Sequence, residues 1–212
     1  MKFLIVDDHP LFRDALKGAL AGGLPEARIA EAGSFDDAVA ALAEDGERDL
    51  ILLDIKMPGV QGLSGLTYLR AQHPSLPVAI VSASDEQDIM RRALGLGASG
   101  FIPKSSSLET IVAAVSAVLA GDVWMPPGFS REGAGDVETD KLAQQLATLS
   151  AQQIRVLMML RAGLLNKQIA FELSVSEATV KSHVSAILLK LRVASRTQAV
   201  IAASRIDGLT GA

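Results

Sequence analysis

Apolar and polar positions alternate along this 212-residue chain in two different rhythms. Over the first 120 residues, short apolar runs at Phe3–Val6, Arg28–Ala32, Leu50–Leu53, Val78–Val81 and Gly100–Ile102 recur between longer amphipathic stretches. Each run is bounded by Asp, Gly, Pro or Ser, and several are apolar on both faces, the pattern of strands buried inside a parallel sheet. The stretches Leu11–Ala21, Phe35–Ala43, Leu63–Gln72, Asp85–Leu96 and Leu108–Leu119 carry apolar residues at helical spacing. Ser34 and Ser107 stand where N-caps are needed, and Gly95 and Gly97 where a helix stops. Strand–helix units of this kind predict an open parallel sheet with helices on both faces.

The rhythm then breaks. Gly121–Thr148 contains Pro126-Pro127-Gly128 and Gly133-Ala134-Gly135 and reads as a linker. Its second half places Leu142, Leu146 and Leu149 at i, i+4 and i+7, so a short helix over Asp140–Leu149 is expected to dock on the next domain. From Ser150 the pattern is helical throughout. Ser150-x-x-Gln153 has capping-box form and opens a helix ending near Gly163. Asn166–Leu173 comes next, then only Ser174-Val175 before Ser176 caps a long helix running to about Val193, and Arg196–Ser204 forms the last. Two helices joined by so short a turn have helix-turn-helix form.

Composition sharpens the division. Residues 1–121 hold ten Lys and Arg against sixteen Asp and Glu, residues 122–146 two against five, and residues 147–212 eight against three. An acidic body with a basic tail segment suggests that only the C-terminal part meets a polyanion. With no cysteine, neither a disulfide framework nor a thiolate metal site is possible, which suits a reducing cytoplasm. The N-terminal apolar run meets Asp7 and Asp8 too soon to form a signal-peptide core, and no apolar stretch approaches a membrane span, so no membrane partner is expected.

The chemistry lies where strands end. Asp7 and Asp8 end the first strand, Asp54 the third and Ser82 the fourth, and Lys104 follows the fifth. In an open parallel sheet the ligand site lies beyond the carboxyl ends of the strands, at the point where strand order reverses. Three carboxylates crowded there repel one another, so a proton or a cation must join them. Hard oxygen ligands without Cys or clustered His favour Mg²⁺ (or Mn²⁺) over softer metals. A carboxylate nucleophile, an ammonium, a hydroxyl and a metal are the parts that phosphoryl transfer needs. His9, beside the acids, is read as the residue that opens the adjoining helix.

The segments FLIVDDHPLFR, DLILLDIKMPG, VAIVSAS and GASGFIPK, in this order, resemble the signature segments of bacterial two-component receiver domains. The resemblance covers residues 1–121 and implies a flavodoxin-like, doubly wound five-stranded parallel sheet of order 2-1-3-4-5. It implies that Asp54 accepts a phosphoryl group from a cognate histidine kinase. Asp7, Asp8, Asp54 and the backbone carbonyl of Lys56 would hold the metal, and Lys104 would contact the phosphoryl group. Ser82 and Phe101 would form the switch pair, the ring turning inward as the hydroxyl moves. Ser105 replaces the Pro that follows the Lys in many receivers, while Pro103 precedes it.

On residue pattern alone, the C-terminal helices fit either a DNA reader or a dimerisation bundle with a basic face. The stretch GLLNKQIAFELSVSEATVKSHVSAILLKLRVASRTQAV is similar to the LuxR-type helix-turn-helix of NarL/FixJ response regulators. It makes residues 147–212 a small all-α DNA-binding domain after a linker at 122–146. The expected DNA contacts are Asn166, Lys167, Thr179, Lys181, Ser182, Ser185 and Lys190, with Arg192 and Arg196 adding charge. Arg192 replaces a frequent Gly, so the long helix should end in some other way. The implied protein is a cytoplasmic transcription factor that binds promoter DNA and forms a homodimer when active. In the resting state its receiver hides the recognition helix or blocks dimerisation. It is not an enzyme beyond slow self-phosphorylation and dephosphorylation; a haloacid-dehalogenase-like phosphatase needs an acid two residues after its nucleophile, where this chain has Lys56. An output domain that binds protein rather than DNA is the remaining alternative.

Overall fold

The computed structural model describes residues 1–45, 47–57, 60–131 and 137–206. Gly133–Gly135 of the expected linker, Pro58-Gly59 of the third-strand motif, and the chain after Ile206 lie outside them. Strands β1 (Lys2–Val6), β2 (Arg28–Ala32) and β3 (Leu50–Leu53) are followed by a small antiparallel pair, β4 (Lys56–Met57) and β5 (Val60–Gln61). Then come β6 (Val78–Ser82) and β7 (Gly100–Pro103). The five longer strands form one parallel sheet in the order β2-β1-β3-β6-β7. Counted over those five strands alone, this is the expected 2-1-3-4-5.

Period-two alternation sorts the strands onto two cores. Leu4, Val6, Ile51, Leu53, Val78, Ile80 and Phe101 face α2 (Phe35–Glu44), α3 (Ser64–Gln72) and α4 (Gln87–Gly95). Phe3, Ile5, Leu50, Leu52, Ala79, Val81 and Ile102 face α1 (Pro10–Gly23) and α5 (Leu108–Leu119). None of these strand residues is more than 2% exposed. Each large aliphatic side chain so buried contributes about 1.5–3 kcal/mol, which is what fixes the register. Ser34 and Ser107 cap α2 and α5 by accepting from Asp37 N and Thr110 N.

The segment after α5 is bound to the sheet. Gly121 turns the chain at φ 95°, and Trp124 then lies alongside Gly100 as a parallel bridge. Phe101 N donates to the Trp124 carbonyl at 3.0 Å, and Trp124 N to the Ser99 carbonyl at 3.2 Å. Beyond it, the Gln87 side chain of α4 bonds Gly128 O and Ser130 N, and Arg91 bonds Ser130 O at 3.2 Å. Residues 122–130 are therefore a strap across the β7 edge and α4. Its lack of periodicity concealed this, because the attachment is mostly backbone bonding.

The C-terminal helices are α6 (Val137–Ala147), α7 (Ala151–Arg161), α8 (Asn166–Glu172), α9 (Glu177–Leu191) and α10 (Arg196–Ile206). The helix expected over Asp140–Leu149 is present as α6, beginning three residues earlier. Ser150 and Gln153 form the full capping box on α7. Leu146, Leu149, Ile154, Leu157, Leu160, Ile169, Val180, Ile187 and Leu191 build the core of this helical module. Ser174 takes φ 51° in the tight turn between α8 and α9. Arg192 ends α9 by adopting the left-handed conformation itself, φ 54° and ψ 42°, so the absent Gly is met by strain in an exposed residue rather than by another kind of cap.

The two halves touch. Leu63 and Thr67 at α3 meet Leu146, Ile154, Leu157 and Met158 of α6 and α7 around a small apolar cavity. Arg155 reaches Asp36 at 3.8 Å, and Arg92 donates to the Arg205 carbonyl at 3.0 Å. Among the described residues no helix is long and apolar enough to cross a membrane.

Candidate functional site

Strand order reverses at β1 and β3, and the loops leaving them diverge into a crevice. Asp7 and Asp54, each 2% exposed, and the partly exposed Asp8 bring ligand atoms, together with His9, within 4.8 Å of one another. Lys104, carried over from the end of β7, sits between two of them, 2.6 Å from Asp7 Oδ2 and 2.6 Å from Asp54 Oδ2. Its chain is positioned by backbone bonding, Lys104 N donating to the Ser82 carbonyl at 2.7 Å. Burial opposes the ammonium charge, but the hydrogen bonds and charges of Asp54 and Asp7 outweigh it and hold its pKa above the ordinary lysine value. The ammonium also lies 4.9 Å from the centroid of the Phe12 ring, a cation–π contact.

Asp54 is held at both oxygens, Oδ1 accepting from Lys56 N at 3.1 Å. The Lys56 side chain points to solvent. Ser82, fully buried, accepts at Oγ from Ser84 N at 3.1 Å and keeps its own proton to donate. Phe101 is also fully buried, so its ring already occupies the inward position. His9 is drawn further into the group than its reading as a helix-opening residue suggested. It precedes α1 without a side-chain cap, and its Nδ1 lies 2.7 Å from Asp8 Oδ1 and 3.2 Å from Asp7 Oδ1. Asp8 Oδ1 is shielded from water yet completes no hydrogen bond among the described residues. One ammonium against three carboxylates, with a buried oxygen left wanting, suits a hard divalent cation. Phe12 and Arg13, the latter donating to the Asp7 carbonyl, were not singled out from sequence; the motif ending in Phe12-Arg13 was the available signal.

The second candidate face lies on α8 and α9. Thr179, Lys181, Ser182 and Ser185 are all exposed on the first turns of α9, and Lys167 is exposed on α8. Ser176 caps α9 by accepting from Thr179 N at 3.0 Å. The receiver does not cover these side chains, so hiding of the recognition helix is not what this arrangement does: the contact is made by α6, α7 and α10 instead. Lys190 departs from its expected place on the reading face. Its ammonium is bonded to the Thr148 carbonyl at 2.7 Å and Gln153 Oε1 at 2.9 Å, because this last turn of α9 faces the start of α7. Asn166 is half-buried, its Oδ1 3.5 Å from Arg196 Nη1, while Arg196 also holds the Leu164 carbonyl.

An acidic pocket at a sheet's switch point, joined to a helix-turn-helix, defines a receiver with a DNA-binding output: a bacterial response regulator. Comparison with known proteins agrees in both halves. Residues 3–116 match the response regulator receiver domain, and residues 147–203 match the bacterial regulatory proteins of the luxR family. The glycerol metabolism activator of Pseudomonas putida is 41% identical over 212 residues, covering 97% of this chain and 96% of that protein. The nitrate/nitrite response regulator protein NarL of Escherichia coli K12 is 30% identical over 200 residues, with 93% and 92% covered. The crystal structure of a LuxR family DNA-binding response regulator from Silicibacter pomeroyi superposes with a TM-score of 0.55 at 39% identity, covering 61% of this chain and 99% of that one. The chain belongs to the NarL-type response regulators, which join a receiver to a LuxR-type DNA-binding domain. Neither matched family is a family of catalytic enzymes.

Proposed function

We propose that Asp54 is the phosphoacceptor of a cytoplasmic transcription factor and that its phosphorylation by a histidine kinase controls promoter binding through α9. The supporting observation is the Asp54 carboxylate, buried at a strand end and bonded to an ammonium that also holds Asp7. An Asp54 oxygen attacks the phosphorus of the kinase's phosphohistidine, the phosphorus–nitrogen bond breaks, and an acyl phosphate forms on Asp54 while the histidine nitrogen keeps the electron pair. Asp7, Asp8, Asp54 and the Lys56 carbonyl would hold Mg²⁺ (or Mn²⁺), which supplies charge neutralisation for the phosphoryl oxygens when bound. Lys104 leaves Asp54 Oδ2 to pair with a phosphoryl oxygen, and Ser82 donates its free proton to another. The Phe101 ring is already buried, so the Ser82 hydroxyl is the member of the switch pair that has to move. The only turnover assigned is slow self-phosphorylation and dephosphorylation.

In this reading residues 1–121 are the phosphoacceptor unit, 122–146 the connection and 147–212 the reader. Lys181, Ser182, Ser185 and Thr179 face the major groove, and Lys167 and Asn166 lie near the backbone phosphates. The active form is a homodimer on paired half-sites. The test is intact-protein mass spectrometry after treatment with acetyl phosphate and Mg²⁺, coupled to selection of bound DNA from a random pool. A single phosphoryl gain that vanishes in Asp54→Asn, together with tighter binding of the selected sequence, is expected. Phosphoryl gain that survives Asp54→Asn, or DNA affinity indifferent to it, would refute the assignment.

A further inference from the structure

We infer that Arg13 is a positioning residue for cation binding in the acidic pocket, acting through the Asp7–Asp8 peptide group; this rests on the pocket being a divalent-cation site. Arg13 lies one turn inside α1 and is 17% exposed at its side chain. Its Nη1 donates to the Asp7 carbonyl, while its Nε lies 3.4 Å from Glu31 Oε2. Glu31 is itself held by Lys17 at 2.5 Å, and these two cations keep its carboxyl below the usual glutamate range. The neighbouring Ala32 carbonyl receives Asp7 N at 3.1 Å. Every polar atom of Asp7 is thus engaged: the amide by β2, the carbonyl by Arg13, Oδ1 by His9 N at 2.8 Å and Oδ2 by Lys104.

The carbonyl matters because a peptide unit is planar. Fixing the direction of the Asp7 carbonyl fixes the Asp8 amide with it, and so limits ψ of Asp7 and φ of Asp8. Those two torsions aim both carboxylates. Beyond the last β1–β2 pair no ladder bond among the described residues holds this peptide, so the guanidinium takes over where the sheet stops. The β2 end, through Glu31, then holds the guanidinium at the angle required.

The sign of the effect separates positioning from plain electrostatics. A cation standing near a cation site repels its ligand, so on charge alone Arg13→Ala would bind Mg²⁺ more tightly. As a positioning residue its loss weakens binding, about tenfold by the usual effect of removing a group that orients a metal ligand. The experiment is calorimetric titration of the full chain with Mg²⁺, comparing native protein, Arg13→Ala, Arg13→Lys and Glu31→Gln at a temperature where circular dichroism shows all folded. Weakening in Arg13→Ala, partial recovery in Arg13→Lys and weakening in Glu31→Gln are expected. Should Arg13→Ala not fold, Arg13→Lys carries the test, since it keeps the positive charge but loses the fork that joins the Asp7 carbonyl to Glu31. Native protein that binds Mg²⁺, with Arg13→Ala (or Arg13→Lys in its place) binding equally or more tightly, overturns the role of Arg13 and leaves the pocket standing. Native protein that binds no Mg²⁺ overturns both.

Discussion

Gly100→Ala tests whether the segment after α5 is a structural part of the receiver. A Cβ on Gly100 would lie 3.1 Å from the Trp124 carbonyl oxygen, 3.3 Å from Val118 Cγ2 and 3.6 Å from Trp124 Cβ. The valine methyl can move aside. The carbonyl cannot withdraw without stretching its 3.0 Å bond from Phe101 N, and the 3.2 Å bond from Trp124 N is strained with it. Losing one such bond costs about 0.5–1.5 kcal/mol net, and forced overpacking about 1–3 kcal/mol. Alanine restores about 0.5–1 kcal/mol because the unfolded chain loses freedom. The balance is a net loss of about 2 kcal/mol, or a Tm lower by about 4–8 °C for a chain of this size. Trp124 is the only tryptophan, so its emission reports the strap directly. Gly100→Ala should shift that emission to the red and increase quenching by iodide before global unfolding. Adding Val118→Ala should not restore the native spectrum. Native emission with an undiminished Tm would mean that the strap is not held against Gly100, and a spectrum restored by Val118→Ala would place the clash on Val118 instead.

Lys104→Met leaves two buried carboxylates without their shared ammonium and should cost about 2–3 kcal/mol after allowance for solvent screening, read by chemical denaturation. Because the folded-state pKa of Lys104 is raised above 10.5, its contribution is complete at neutral pH, and the gap between native and variant should close only as pH climbs beyond that value. Added Mg²⁺ should narrow the gap; a gap that is absent at pH 7 contradicts the pairing. Lys181→Ala removes an exposed cation from the second turn of α9 and should lower DNA affinity while reducing the salt slope by about one in a filter-binding series. Lys190→Ala should do the reverse, losing about 1 kcal/mol of thermal stability through its bonds to Thr148 and Gln153 with a smaller effect on DNA; a DNA defect as large as that of Lys181→Ala would return Lys190 to the reading face.

The parts that were legible in the sequence are those in which one residue carries its own reason. Apolar runs such as Leu50–Leu53 and capping serines such as Ser150 declare element type locally, and four strand ends carrying acids, a hydroxyl and a lysine declare a crevice. What escaped depends on backbone meeting backbone or on which way a long side chain turns. Trp124 bonds Ser99 and Phe101 through main-chain atoms, so nothing in the side-chain pattern of 122–130 records the attachment except the absence of a Cβ at Gly100. Lys190 carries the same formal charge as Lys181, and only the packing of α9 on α7 turns one inward and leaves the other exposed. Arg13 sat in a recognised segment, but its target is a carbonyl, which every residue possesses.

The open face of α9 changes what phosphorylation has to accomplish. Thr179, Lys181, Ser182 and Ser185 are exposed while the receiver is docked, so uncovering them is not the controlled step. Under the proposed function, control then acts on the docking itself and so on whether a second chain is admitted. That docking is mainly apolar at Leu63, Ile154, Leu157 and Met158. Its Arg155–Asp36 pair is 39% and 81% exposed at the side chains and contributes little. With the centre of this interface apolar, a mechanical path from the pocket is the one the structure supports. The strap offers a hydrogen-bonded route: the Phe101 amide donates to the Trp124 carbonyl, and the same segment is hydrogen-bonded to α4 at Gln87 and Arg91. Since α4 packs on α6, the end of β7 is connected to the C-terminal module through the strap's bonds to α4.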